Sequence, residues 1–575
     1  MKILTLHVDY INFKPLKKAL KTIKELSKAE KKGQEVGESL VVLTAIEKGD
    51  LIEQTVSELV KNVKDIAKQV KTKSVVLYPY AHLSSNLAKP ETATEILNKA
   101  EKELKKIFKV VKAPFGYYKE FELKVKGHPL SELSREISVK GKIGDKVVEE
   151  KIDREELLRK MTKVHMSAPK GKKGLKSNVE IGRDLDLYIV SEIVGKGLPL
   201  LTPKGTTIKR EIERFVTDEE LKRGYLHTST PVMASSDLYK ISGHWQHFRD
   251  SMFILDVRGD KFALRPMTCP FQFILYKSKP RSYKELPIKY AEVAILFRNE
   301  KTGELRGLTR IRQFTLADAH IICTPEQVEE EFVKVLDLIK YVMKTLEVED
   351  NIWYRFSKWD PKDKEKYIDN PKAWESSQKL MKKILDNLKI KYVEADGEAA
   401  FYGPKLDLQY KDVYGKEDTL FTVQMDFALP ERYDMTYKDK DNKSKRPIVI
   451  HRSSTGATER IIAFLLEKNQ GVLPVWLSPV QVKVLSLTER NADTARKIHE
   501  EFLKEGIRSE LDVEDIPING RIRNSELMKI PFIILIGDKE EKNNALAVRF
   551  KGEVKYNVKI DNFIKEIKEL IEKRS

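Results

Sequence analysis

Cysteine is nearly absent from this chain of 575 residues, with Cys269 and Cys323 the only two. Two thiols cannot staple a chain of this length, so a disulfide framework is excluded and a reducing compartment, the cytoplasm, is expected. Long apolar runs are missing too. None approaches the ~20 residues that a membrane-spanning helix needs. The opening Met1-Lys2-Ile3-Leu4 lacks the long apolar stretch and small-residue cleavage site of a secretory leader. No segment repeats at a fixed period.

What is present is a globular balance. Hydrophobic residues make up 41% and charged residues 34%, which suits packed, soluble domains. The length exceeds what one core organises, so three or four domains are expected. The net charge of +18 fits a polyanionic partner, because basic surfaces gain affinity for phosphates by releasing counterions. A lysine-rich solvated surface with no partner accounts for the charge equally well.

Residues 1–140 read as an α/β unit. Ile3 to Val8, Leu40 to Ile46 and Ser74 to Tyr78 have strand patterns. Val56, Leu59, Val60, Val63, Ile66 and Ala67 recur at helical spacing between the last two. Residues 141–178 are rich in Lys, Glu and Gly and read as a linker with a short helix at Glu155 to Met161. From 179 to 475 strands and helices mix without βαβ alternation, which predicts an antiparallel sheet with flanking helices. Thr324-Pro325-Glu326-Gln327 supplies a helix start with a reciprocal cap, and Phe332, Val335, Leu336 and Ile339 follow on one face. Residues 476–575 alternate regularly: a strand at Val480 to Leu487, a helix near Thr494 to Leu503, a strand at Phe532 to Ile536 and a helix at Ile560 to Ile571. That is a small α/β domain.

The densest chemistry lies in the third segment. Phe297-Arg298-Asn299-Glu300 and Arg310-Ile311-Arg312-Gln313-Phe314 flank a polar, glycine-containing loop. Two strands joined there would bring Arg298 and Arg310 together, and paired guanidinium forks suit a triphosphate. Taken alone, the segment reads better as a hairpin with surface arginines.

In context it resembles motif 2 of class II aminoacyl-tRNA synthetases. Gly456-Ala457-Thr458-Glu459-Arg460 is similar to motif 3, and Gly224-Tyr225-Leu226-His227-Thr228-Ser229-Thr230-Pro231 to motif 1, which sits at a dimer interface. The resemblance implies ATP binding, with Arg298 on the α-phosphate, Glu300 on the adenine edge and Phe314 stacked on the ring. It assigns the outer phosphates to Arg310 and Arg460. These arginines, with Mg²⁺, would do the catalysis by positioning and charge stabilisation.

Three further stretches, Met267-Thr268-Cys269-Pro270, Asp318-Ala319-His320 and Ile450-His451-Arg452, resemble those of threonyl-tRNA synthetases. The ligands are scattered too widely for spacing alone to indicate a metal, and a lone buried Cys or His is usually core. The resemblance makes Cys269, His320 and His451 the protein ligands of one Zn²⁺, with a fourth position open to substrate. Met267, Asp318, Tyr402 and Gln424 would then line the threonine pocket. Leu316 and Thr419 stand where bacterial relatives carry glutamines, and Cys323 has no such context and reads as core. Prolyl- and seryl-tRNA synthetases are disfavoured by this Cys–His–His set. A non-catalytic RNA-binding derivative is disfavoured by the three retained arginines.

Tyr80 to Ser85, Ala113 to Lys119 and Gly127 to Leu133 resemble the archaeal editing domain, whose fold is like that of D-aminoacyl-tRNA deacylases. The match carries His82, Tyr118, Lys119 and Glu132 into an editing pocket. Without it, Lys119 and Glu132 read as an ordinary surface pair and His82 as structural. Leu527-Met528-Lys529-Ile530-Pro531 and Ile536 to Glu540 resemble the anticodon-binding domain, with Arg521, Arg523 and Lys529 as candidates for RNA contact by charge and position alone. The implied whole is an α+β multidomain homodimer. It would charge tRNA(Thr) with threonine at an antiparallel class II sheet, hydrolyse seryl-tRNA in an N-terminal domain, and hold the anticodon in a C-terminal α/β domain.

Overall fold

The computed structural model describes all residues except 21, 22, 24, 28, 29, 85, 138–153, 162–170 and 515. Ser85 and most of the expected linker, including Ala168 to Lys170, therefore lie outside the described residues. The helix expected in that linker is present at Arg154–Met161. Contacts gather the chain into two compact units, Met1–Ile152 and Asp153–Ser575.

In the first unit the strand Lys2–Lys18 is the spine. It pairs antiparallel with Gln34–Val36 and Ser39–Ala45, and also with Tyr117–Val125 and Glu132–Glu136. Ser39–Ala45 continues in parallel to Ser74–Pro79 and Lys109–Lys112 through the helices Ile52–Gln69 and Pro90–Leu104. Parallel strands are covered on both faces, which is why Leu40-Val41-Val42-Leu43 and Val75-Val76-Leu77-Tyr78 are apolar without alternation. Leu40, Val42, Val75 and Leu77 pack on Leu59, Val63, Ile66 and Ile96 of the helices. Val41, Leu43, Val76 and Tyr78 form a second core on the opposite face with Val8, Ile11 and Phe13.

The second unit is built on an eight-stranded sheet. Its six inner strands run, in spatial order, Ile288–Phe297, Gln313–Cys323, Ile448–Ala457, Glu417–Asp426, Lys405–Lys411 and Trp353–Ser357, each antiparallel to the next. The edge strands Leu226–His227 and Tyr392–Ala395 pair in parallel, a detail the antiparallel expectation lacked. One sheet face is covered by Pro203–Lys222, Val328–Thr345, Pro371–Asn387 and Thr458–Lys468. Their apolar stripes meet Ala317, Ala319, Ile321 and Val423 in the main core, which also holds Cys323. The expected cap at Thr324 is formed: its hydroxyl and the Gln327 side chain satisfy each other's backbone N–H groups ahead of Val328–Thr345.

The same unit carries a five-stranded sheet. Ser509–Asp512, Val482–Ser486 and Phe532–Ile536 are parallel, and the hairpin Ala545–Phe550 with Glu553–Lys559 adds two antiparallel strands. The sequence reading found the strands at Val482–Ser486 and Phe532–Ile536 and the helices Ala492–Lys504 and Ile560–Lys573, but not Ser509–Asp512, the helix Ile518–Leu527 or that hairpin.

Gly456 closes the strand Ile448–Ala457 at a φ of +65°, and a Cβ there would lie 1.9 Å from the Leu420 carbonyl oxygen. Both the left-handed backbone and the neighbouring strand therefore demand glycine. Gly456→Ala is expected to destabilise the second unit by about 2–3 kcal/mol. The check is a fall in its melting transition, with the transition of the first unit unmoved.

Candidate active site

Side chains on alternate residues of a strand share a face, and directly opposed residues of neighbouring strands stand side by side. Those two rules build a grid on the uncovered face of the eight-stranded sheet. One row is Tyr290, His320, His451, Gln424 and Lys405, and the next is Glu292, Asp318, Ser453, Thr422 and Asp407. Two histidines more than a hundred residues apart thus become cross-strand neighbours, with ring centroids 4.5 Å apart and planes perpendicular. Cys269 enters from above as the first residue of the helix Cys269–Lys277. The ligand-capable atoms of Cys269, His320 and His451 all lie within 4.8 Å of one another, and all three residues are buried.

The grid is the floor of a cavity of about 480 Å³. Every residue of this unit expected at the nucleotide, the amino acid or the metal lines it: Met267, Cys269, Arg298, Glu300, Arg310, Phe314, Asp318, His320, Tyr402, Gln424, His451 and Arg460. Leu316 and Thr419 line it as well. Tyr402 stacks on His451 at 4.9 Å and donates its hydroxyl to Gln424 Oε1. Asp318 accepts from the Thr268 hydroxyl.

Burial governs the electrostatics of the metal-ligand corner. It pushes the Cys269 thiol far up, with the Asp318 and Asp426 carboxylates adding to the shift. It holds His320 well below the usual imidazole range and raises Asp318. Without a cation the corner therefore favours a thiol and a neutral imidazole. A divalent ion would reverse the cysteine's preference, since metal binding and thiol deprotonation are linked. The donor set of one sulfur and two imidazoles, with room beside it, fits such an ion.

At the other end of the cavity the guanidinium of Arg298 lies 5.1 Å from the Phe314 ring and 5.7 Å from the Phe248 ring. Its Nε is buried and has no hydrogen-bond partner among the described residues. A shielded cationic donor without an acceptor marks a place for an anion. Arg310 is instead engaged with Glu300 at 2.8 Å and Glu304 at 3.2 Å. Arg460 donates to the Thr419 carbonyl at 2.8 Å and lies 3.2 Å from Asp418.

Sequence reasoning missed His244, His247, Phe248, Lys366 and Asp407, which also line the cavity. His244 is held near 3 by burial and by the neighbouring His451. Asp407 receives Lys405 Nζ at 2.9 Å and the Ser357 hydroxyl at 2.8 Å. The Gly243-His244-Trp245 stretch has no strand or helix periodicity to flag it, and Asp407 becomes visible only through the strand register.

In the first unit a separate cavity of about 450 Å³ is lined by His82, Tyr118 and Lys119 together with Tyr78, Tyr80 and Phe121. Lys119 Nζ lies 5.0 Å from the centroid of the Tyr78 ring and donates to the carbonyls of Pro114 at 2.9 Å and Tyr117 at 3.1 Å. Burial lowers its amine to about 8. Glu132 does not join this lining: it is exposed on the strand Glu132–Glu136, opposite Leu6. Within the same motif His128 binds His7 at 2.8 Å, and His7 reaches Glu38 at 3.2 Å.

In the five-stranded domain Arg521 is only 2% exposed. It donates to Asp512 Oδ1 at 2.9 Å and to the Ser486 carbonyl at 2.8 Å. It ties strands together, which corrects its reading as an RNA contact. Arg523 and Lys529 are exposed.

Comparison with known proteins gives three family matches. Residues 1–137 match the Archaea-specific editing domain of threonyl-tRNA synthetase, 252–469 the tRNA synthetase class II core domain (G, H, P, S and T), and 481–570 the anticodon binding domain. The threonine–tRNA ligase of Clostridium botulinum (strain Eklund 17B / Type B) is 55% identical over 392 residues, which is 68% of this chain and 61% of that protein. This chain thus spans 61% of the length of that curated relative. A crystal structure of the RNA binding domain of threonyl-tRNA synthetase from Cryptosporidium parvum Iowa II superposes with a TM-score of 0.65 at 32% identity, covering 69% of this chain and 98% of that one. A putative threonyl-tRNA synthetase from Aeropyrum pernix gives a TM-score of 0.62 at 27% identity, covering 69% and 96%.

The amine of Lys119 is expected to titrate near pH 8, against about 10.4 for a free lysine. Its rate of modification by a small amine-reactive reagent, followed by peptide mass spectrometry, should reach half its plateau near pH 8 and hold level above it. A rate still rising at pH 10 would contradict the desolvated setting.

Proposed function

The chain belongs to the threonyl-tRNA synthetase family, and from that premise we propose that it is a threonine–tRNA ligase that also edits. It activates threonine with ATP to threonyl-adenylate, passes the threonyl group to the 3′ end of tRNA(Thr), and hydrolyses seryl-tRNA(Thr). Residues 1–140 are the editing domain, 141–178 a linker, 179–475 the catalytic domain and 476–575 the anticodon-binding domain. The observation that carries this reading is the convergence of Cys269, His320 and His451 in a cavity that also holds Arg298.

Cys269, His320 and His451 would hold Zn²⁺. What zinc supplies when bound is a Lewis acid with an open position for an amino group and a hydroxyl, and valine has no hydroxyl to offer. Asp318 and Gln424 orient the amino acid by hydrogen bonds, and Tyr402 and Met267 close the pocket around it. Arg298 takes the α-phosphate, its free Nε giving it a donor to spend. Phe314 stacks under adenine and Glu300 meets its edge, while Arg310 and Arg460 take the outer phosphates with Mg²⁺. The ion pair of Arg310 with Glu300 must loosen for both to reach the nucleotide. No protein nucleophile is needed, because the terminal ribose hydroxyl of the tRNA attacks the adenylate carbonyl.

Serine has the hydroxyl and lacks only a methyl, which is worth only about 1–3 kcal/mol in a pocket. A second hydrolytic site is the physical remedy, and the apolar cavity around Lys119 suits it. There His82, Tyr118 and Lys119 receive the seryl ester and the ammonium of Lys119 stabilises the oxyanion formed by attacking water. Arg523 and Lys529 are available to RNA. Exposed Leu226, in the stretch resembling motif 1, supports a homodimer. No helix among the described residues is long and apolar enough to cross a membrane, which is compatible with work in the cytoplasm.

Metal analysis should find one zinc per chain, lost in Cys269→Ala together with threonine-dependent ATP–pyrophosphate exchange; a metal-free chain that activates threonine sinks the reading. Lys119→Ala should slow seryl-tRNA hydrolysis at least about 100-fold. In the wild type, the rate above the uncatalysed background should fall as pH rises through about 8, where the ammonium is lost. An unchanged rate in the variant removes the editing assignment.

A further inference from the structure

Each of the two histidines in the metal-ligand corner carries a hydrogen bond on one ring nitrogen, and neither partner belongs to the ligand set. His320 Nδ1 lies 2.5 Å from Gln272 Oε1, and His451 Nε2 lies 2.8 Å from Asp426 Oδ2. Gln272 and Asp426 are both fully buried. A glutamine amide can offer either its oxygen or its NH₂, so its direction determines which nitrogen of His320 bears the proton.

That direction follows from the groups behind it. Gln272 Nε2 lies 2.9 Å from Thr228 Oγ1. The Thr228 hydroxyl has one proton, and its acceptors are Glu292 Oε2 at 3.2 Å and the Ala291 carbonyl at 3.3 Å. Neither acceptor can donate in return. Glu292 is itself paired with the buried Arg265 at 2.8 Å, both side chains being at most 6% exposed. The Glu292 carboxylate is a stronger acceptor than a neutral amide oxygen, so it and not a turned Gln272 takes the Thr228 proton, and the Thr228 oxygen has only a lone pair left for Gln272. The amide must therefore turn its NH₂ to Thr228 and its oxygen to His320. His320 must then carry its proton on Nδ1, and Nε2 keeps a free lone pair. The turned amide would do the reverse and put a proton on the nitrogen that faces the corner.

Asp426 does the equivalent work for His451. Its Oδ1 is tied to the backbone N–H groups of Ala428 at 2.8 Å and Leu429 at 2.9 Å, which leaves Oδ2 to accept from Nε2. The lone pair of His451 is then on Nδ1.

We infer that Gln272 is a positioning residue for the metal site: oriented by Thr228 and Glu292, it locks His320 in the tautomer that can ligate. This rests on the reading that Cys269, His320 and His451 hold a metal. Outer partners of metal-bound histidines typically change metal affinity by about 10–100-fold.

The test titrates metal-stripped full-length protein with Co²⁺ against a competing chelator, with melting curves recorded alongside. Gln272→Met, which keeps the volume and loses the acceptor, is expected to bind Co²⁺ about 10–100-fold more weakly than wild type. Gln272→Glu still presents an acceptor to Nδ1–H and is expected to stay close to wild type. Thr228→Val keeps Gln272 but frees the amide to turn, and is expected to weaken binding by a smaller factor, which keeps the inference open to test even where Gln272→Met does not fold. Folded Gln272→Met with wild-type affinity overturns the inference, as does Gln272→Glu weakened as much as Gln272→Met, or Thr228→Val with no loss. A wild-type chain that takes up no Co²⁺ removes the metal site, and this inference with it.

Discussion

The feature on which the second unit depends is a buried corner holding a thiol, two imidazoles and two carboxylates. Burial makes Cys269, His320 and Asp318 prefer their neutral forms, because a charge removed from water must find a partner. The thiol of Cys269 is pushed up, the imidazole of His320 down and the carboxyl of Asp318 up. A set of that composition is costly as a piece of core. A cation held by the sulfur and the two imidazoles would offset that cost. The rest of the sheet serves to keep those atoms within reach of one another.

That service is rendered by register. His320, His451 and Gln424 stand side by side only because three antiparallel strands pair without slipping, and a slip of one residue would turn each to the helical face. The opposite face resists slipping. Arg452, next to His451, is fully buried and pairs with Glu220 at 2.6 Å, and its guanidinium lies 4.3 Å from the Tyr225 ring. Breaking such a pair leaves an uncompensated buried charge, so one register is strongly preferred. The strand that presents a ligand on one side is thus clamped by an ion pair on the other.

The first unit handles burial differently. Its cavity is walled by aromatic rings and holds a lysine amine whose partners are two backbone carbonyls and a ring face. Among the described residues no carboxylate pairs with that amine. Burial therefore lowers its titration to about 8, an unusual property for a lysine.

Much of the architecture was legible in the residues. Runs such as Leu40 to Ile46 announced strands of an α/β unit, the Thr324–Gln327 cap announced its helix, and the motif contexts named every one of the proposed nucleotide, amino-acid and metal residues that line the larger cavity. These are local signals, carried by periodicity, capping chemistry and short motifs. What only the tertiary structure decided involves pairs of residues far apart in the chain. The register made His320 and His451 neighbours. Packing buried Arg521, which by charge alone looked like an RNA contact, and left Glu132 outside the cavity that its motif suggested. Gln272, two residues past the Met267 to Pro270 stretch, owes its direction to Thr228 and Glu292 elsewhere in the chain. Composition and spacing specify which groups a chain possesses, whereas desolvation and hydrogen-bond direction depend on which groups the fold brings together.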